Sequence, residues 1–382
     1  MHIEKKIVRS GFDGKTCWVH ARPAVIPAQN GNNPVIIITA YPLKLTGDDV
    51  FFATHTMYSE DMGETWTDFI PSKETLGRKK IAGGLEEVPC DLMPSWHEAT
   101  QKVFVTGQTA VYKDDELTPG LRPRSTIWSV LDPNKRTWSN YQKLVMPDAE
   151  KFFNSGAGST QRVDLPNGDI LLPIYFCNRE TTGVAGNLYC ATVMRCSFDG
   201  VNLRYIEHGS ELSIGQGRGL YEPSLCTVKE RYFLTMRNDD AGYVSSSDDG
   251  LNFCKPKVWT FEDGSDLGNY NTQQHWLVYE DKLFLIYTRR GANNDNVFRH
   301  RAPLFIAEVD IEDLCVIRHS ELELVPNRGA RLGNFGVTRL SQNEYLVVVS
   351  EWMQTKSPNP HDYKVCQKYG SDNSIFMVKV TF

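Results

Sequence analysis

Glu222 and Arg237 bracket two short apolar runs, Leu225–Val228 and Tyr232–Met236, which flank a polar Lys229–Arg231 turn. A carboxyl group where one strand begins and a guanidinium where the next one ends suit two tasks. The carboxyl can exchange a proton or balance a developing cation, and the guanidinium fork can grip an anion while staying charged at any working pH. A structural ion pair is the competing reading. Further along, Asn271-Thr272-Gln273-Gln274-His275-Trp276 sets three amides beside an imidazole. There His275 can activate water or contact a hydroxyl-rich ligand, with Gln274 as a further contact, or the histidine can be structural. Thr288–Asp295 reads as a rim loop or a solvated turn, and Arg328 and Arg331 as additional anion contacts. Cys90, Asp91, Trp96 and His97 are candidates for a pocket wall, and one of His20 and His55 is expected to face the cavity.

Such residues need a frame that gathers distant segments. Alternating apolar and polar residues between turn clusters predict antiparallel strands at Val35–Ala40, Val50–Thr54, Lys102–Thr106, Ile127–Leu131, Ile170–Tyr175, Tyr189–Arg195, Leu283–Tyr287, Leu304–Val309, Tyr345–Ser350 and Ile375–Val380. Helical periodicity is nearly absent, with room for about one turn in Pro147–Asn154. One turn recurs. The segment runs Ser247-Asp248-Asp249-Gly250-Leu251-Asn252-Phe253, and Ser59-Glu60-Asp61-Met62-Gly63-Glu64-Thr65-Trp66 is a full copy. Ser197–Leu203 and Asp132–Trp138 are shortened copies, and Asp310–Asp313 falls where another is due. Asp249 is expected to bond backbone N–H groups inside its loop while Gly250 takes a positive φ. A repeat of about 50–70 residues divides the chain into about six units. The prediction is an all-β, six-bladed β-propeller of four-stranded antiparallel sheets, a single domain over residues 1–382, with an N-terminal strand completing the last blade.

The formal net charge of −6 argues against nucleic acid and anionic membranes as partners, yet leaves room for a local arginine site. Nine cysteines lie without CxxC pairs or Cys/His ligand spacing, which predicts buried free thiols and no metal site. The first residues, MHIEKKIVRSG, hold no apolar run, so a cytoplasmic location is expected.

The recurring turn resembles the Asp-box of the sialidase superfamily, and the resemblance covers nearly the whole chain in order. Arg22 in Trp18–Pro27 is similar to the family's first arginine, and Asp49 to its acidic residue before the first Asp-box. Gly156-Ala157-Gly158 through Pro173, Glu222 with Arg237, and Arg301 in Phe298–Leu304 resemble further family segments. The resemblance implies that Arg22, Arg237 and Arg301 hold a sugar carboxylate, that Asp49 protonates the leaving group, and that Glu222 serves as base or electrostatic partner. One departure stands out. Asn334 or Phe335 occupies the place of the family's nucleophilic tyrosine, so water activated by Glu222 or His275 would have to attack directly, with Asn334 left as a ligand contact.

The resemblance therefore implies an exo-glycosidase acting on a terminal α-linked sialic acid of a glycan, with no cofactor. Two alternatives stay open: a glycosidase or polysaccharide lyase acting on another acidic sugar, and a non-catalytic glycan-binding propeller.

Overall fold

Short alternating runs punctuated by Gly and Asp turns form hairpins. In the computed structural model, which describes residues 1–28, 31–46, 49–118, 123–181 and 188–382, those hairpins build six antiparallel sheets arranged as the blades of a β-propeller. The first blade runs from Thr16–Ile26 to Ile70–Pro71, and the fourth from Tyr221–Val228 to Lys257–Val258. Three sheets have the four strands expected; the others carry additional short strands. Strand His2–Arg9 pairs with Ile375–Thr381, so the first strand of the chain completes the last blade.

The recurring turns share one hydrogen-bond pattern. Asp249 Oδ1 accepts from the N–H groups of Leu251 (2.8 Å) and Asn252 (2.6 Å), while Ser247 Oγ accepts from Gly250 N–H (3.0 Å). Gly250 takes φ 76°, and a Cβ there would lie 2.5 Å from Leu171 Cδ1, so only glycine fits. Asp132, Asp199 and Asp310 accept from the residues two and three positions on in the same way, and Asp61 accepts from Thr65 N–H, four positions on.

One local expectation fails. Val50–Thr54 forms no strand of its own: it keeps a single antiparallel bridge, Phe51 with Leu43, while Phe51 N–H donates to Tyr112 Oη, Phe51 O accepts from Arg78 Nε, and Val50 and Phe51 sink into the core. Pro147–Asn154 holds one turn: Phe152 N–H donates to Asp148 O at 3.0 Å, and Asp148 Oδ1 caps it by accepting from the N–H groups of Glu150 and Lys151. Two short helices, Lys73–Leu76 and Tyr363–Lys368, were not expected. All nine cysteines are free, and no helix among the described residues is long and apolar enough to cross a membrane.

Apolar side chains pack between neighbouring blades. Trp259 and Trp276, both fully buried, lie with ring centroids 5.8 Å apart between the fourth and fifth blades, and Trp276 Nε1 donates to Ser224 O at 2.8 Å. Trp276→Ala is expected to cost about 3–5 kcal/mol, read from urea unfolding monitored by tryptophan fluorescence.

Candidate active site

Each blade places one non-glycine residue in the left-handed region at its axial strand: His20 (φ 54°), Asp91 (54°), Ser159 (58°), Glu222 (47°), Asn271 (49°) and Asn334 (68°). At three of them the register with the next strand shifts, between Val19 and Arg22, Cys90 and Met93, and Tyr221 and Ser224. A bulge of this kind turns one side chain out of the pleat and towards the axis. Four of these residues meet one another, and Arg237 joins the other two, Glu222 and Asn271. His20 Nδ1 lies 3.0 Å from Asp91 Oδ1, His20 Nε2 contacts Asn334 Nδ2, and Ser159 Oγ donates to Asp91 Oδ1 at 3.4 Å. Burial keeps His20 below its ordinary pKa, so the ring is neutral, with Nδ1 facing Asp91 and Nε2 accepting from Asn334. Burial also opposes the charge of Asp91, but the His20 ring, Arg22 and Arg124 outweigh it and hold the carboxyl well below its usual range.

Beneath this ring the expectation for Arg22 needs correction. Its guanidinium is fully buried and committed to the protein: Nη1 donates to Leu92 O (2.9 Å), and Nη2 to Ser159 Oγ (2.6 Å) and Gln273 Oε1 (3.3 Å). It links four blades across the axis and presents no free fork to a ligand. His275 is corrected for the same reason. It is fully buried, its Nδ1 pairs with Ser224 Oγ at 2.8 Å, its ring meets Phe335 edge-on, and burial pushes its pKa well down. Gln274 accepts from Thr235 Oγ1 (2.9 Å) and donates to Thr272 O (2.8 Å), so it joins two blades and contacts no pocket.

Around the ring stands a cluster of arginines. Arg237 Nη1 reaches both Glu222 oxygens at 2.8 Å, and its Nη2 donates to Asn271 Oδ1 at 2.6 Å. Arg218 Nη2 donates to the same Asn271 oxygen at 3.3 Å, and Arg301 Nε to Asn271 O at 3.0 Å. Asn271 thus orients three guanidinium groups. Arg301 Nη1 has no acceptor among the described residues and lies beside Gly333, where a Cβ would stand 2.9 Å from it. Burial, and then the charges of Arg237, Arg331 and Arg299, push Arg301 well below its ordinary value. Asp49, in the left-handed region and exposed, sits in a loop after the second strand of its blade, with its carbonyl accepting from Tyr112 Oη. It is the acidic neighbour that opposes the loss of charge at Arg331.

Of the two histidines considered for the cavity, His20 stands in the ring; His55 packs outside it against Trp18 and Phe69. Asp91 belongs to the ring, whereas His97 is buried on Thr100 and Phe198. In Thr288–Asp295, Asn294 is buried and donates to the carbonyls of Arg289, His300 and Ala302, fastening the segment that carries Arg299 and Arg301. Arg218, Arg299 and the organising role of Asn271 went unread. The doubled arginines of Phe298-Arg299-His300-Arg301 and the tight Gly217-Arg218-Gly219 turn were the available signals.

No protein-family model and no curated protein matches the sequence. Among solved structures the chain is similar to a protein of unknown function from Dyadobacter fermentans, at TM-score 0.63 and 13% identity over 100% of this chain and 99% of that one. It is similar to Trypanosoma rangeli sialidase at TM-score 0.63 and 13% identity, covering 99% of this chain and 59% of that one. NanB sialidase from Streptococcus pneumoniae gives TM-score 0.63 and 10% identity, covering 99% and 70%. The chain thus spans little more than half of the trypanosomal sialidase, and the likeness is one of fold: a sialidase-type propeller.

Two outcomes test the ring. Asp91→Asn is expected to cost about 1–3 kcal/mol at neutral pH. Because the native carboxyl lies below its ordinary value of 3.8, its contribution is full above that value and is lost as pH falls through the native one. Acid unfolding of the two proteins should therefore converge at low pH. Asn271→Ala should lose about 1–2 kcal/mol more than Asn271→Gly in urea melts, since only glycine tolerates φ 49° without strain.

Proposed function

We propose that this chain is a glycoside hydrolase that removes a terminal acidic sugar, an α-linked sialic acid, from glycoconjugates. The observation that carries the reading is the free Nη1 of Arg301 next to the Arg237–Glu222 pair, at the axial mouth of a sialidase-type propeller. A guanidinium N–H suits a sugar carboxylate, and burial within a cationic cluster makes the incoming anion favourable. Arg22, committed beneath, is left out of that grip; Arg301 Nη1 takes it, with Arg237, itself held by Glu222 and Asn271, adding positive charge, and Asn334 as a contact at the floor. Asp49 is the proton donor to the leaving oxygen, and Glu222 stabilises the oxocarbenium-like state or directs water to it.

The nucleophile question bears on stereochemistry. Tyr221 adjoins Glu222, but its hydroxyl donates to Asp239 (2.8 Å) and accepts from Arg218 (2.6 Å), and burial raises its pKa to about 12. It stays a phenol, which favours direct attack by water and inversion. A second reading, glycan binding without turnover, is favoured by one feature: both Glu222 oxygens are already held by Arg237.

A proton NMR time course on sialyl-lactose tests the proposal. Release of sialic acid with the β anomer first is expected, and Glu222→Gln and Asp49→Asn should each lower kcat at least a hundredfold. Binding of sialyl-lactose without release by the unmodified protein would select the lectin reading, and an initial α anomer would overturn direct attack by water.

A further inference from the structure

Arg331 is 5% exposed, and among the described residues its guanidinium makes no hydrogen bond and no ion pair. It lies 3.4 Å over the ring of Trp352, whose own Nε1 is buried without a partner, and 5.1 Å from the ring of Phe298. Arg299 stands 5.0 Å from the same Phe298 ring, half-buried, and likewise without hydrogen bond or ion pair among the described residues. The two guanidinium groups therefore flank one aromatic ring. Leu332 N–H, next to Arg331, donates to Arg301 O, so this pair adjoins the Arg301 site. A buried cation without a partner costs several kcal/mol, and a protein keeps one where a ligand supplies the missing charge.

The charges can be compared directly. Arg218 is balanced by Asp239 and Arg237 by Glu222, each at 2.7–2.8 Å. Arg299, Arg301 and Arg331 have no carboxylate within ion-pair distance among the described residues; Asp49 is the acidic neighbour that Arg299 and Arg331 share, and Glu222 is that of Arg301. One sugar carboxylate on Arg301 leaves two cations unmatched.

We infer that Arg299 and Arg331, with Phe298 and Trp352 as walls, form a second anion subsite, and that the substrate is a dianionic glycan terminus. The second charge is either a sulfate ester on the terminal acidic sugar or the carboxylate of an adjoining acidic sugar. The subsite stands on geometry; the dianionic substrate rests on the acidic-sugar reading above.

Inorganic sulfate at constant ionic strength probes the subsite alone. A saturable rise in Tm is expected for the unmodified protein and is lost in Arg331→Met and in Arg299→Met. Arg331→Met should also melt higher than the unmodified protein without sulfate, since it removes an unmatched buried charge. An equal sulfate shift in all three proteins would overturn the subsite. Calorimetric titration with sialic acid, O-sulfated sialic acid and a disialic acid then tests the substrate. At least one dianion should bind tenfold or more tighter than sialic acid, its identity naming the source of the second charge, and in Arg331→Met that ratio should fall to near one. Equal affinity for all three sugars would sink the dianionic assignment. Binding of sulfate with no binding of any sugar would sink the acidic-sugar reading and leave the subsite standing.

Discussion

The axial mouth of this propeller depends on six residues held in a backbone conformation that side chains ordinarily avoid. His20, Asp91, Ser159, Glu222, Asn271 and Asn334 each adopt positive φ, one per blade. Each such residue costs on the order of 1–3 kcal/mol and persists only where its surroundings over-determine it. Here the surroundings are the antiparallel ladders, the polar contacts among His20, Asp91, Ser159 and Asn334, and the Arg237 bridge between Glu222 and Asn271. Relaxing any one to extended backbone would return its side chain to the pleat and dismantle the ring.

Below the ring, a fully buried arginine acts as a crosspiece. Arg22 reaches acceptors on three other blades, and Gly336 makes room for it, since a Cβ there would meet Arg22 Cβ at 2.9 Å. Above it, the cations are arranged differently: two are matched by Glu222 and Asp239, while Arg299, Arg301 and Arg331 are not. In a partly dry recess such charges interact strongly, so arginine residues that repel one another favour an anion placed among them. The lower layer holds the wheel together; the upper layer gives it a reason to bind.

How much of this could be read in advance follows from how local each cause is. The Asp turns were legible because Asp249 bonds atoms two and three residues away. The meeting of Glu222 with Arg237 was legible because Tyr221 pairs with Arg237 across one hairpin. The burial of Arg22 was not legible because alternation predicts which face a side chain takes only while the pleat is regular, and a bulge precedes Arg22. His275 was misjudged because its three neighbouring amides, Asn271, Gln273 and Gln274, turned out to serve the protein's own hydrogen bonds.

The order of residues by itself determined the strands, the turns between them and the number of blades, since each arises from contacts within one hairpin and from a period that repeats along the chain. It also determined that charged groups lie at the ends of axial strands. Which of those groups face the mouth, which are sealed beneath it and which cations go unmatched was decided only when six sheets closed around an axis. Closure brings His20 to Asn334 across 314 positions of the chain, and contacts that distant leave no trace in local pattern.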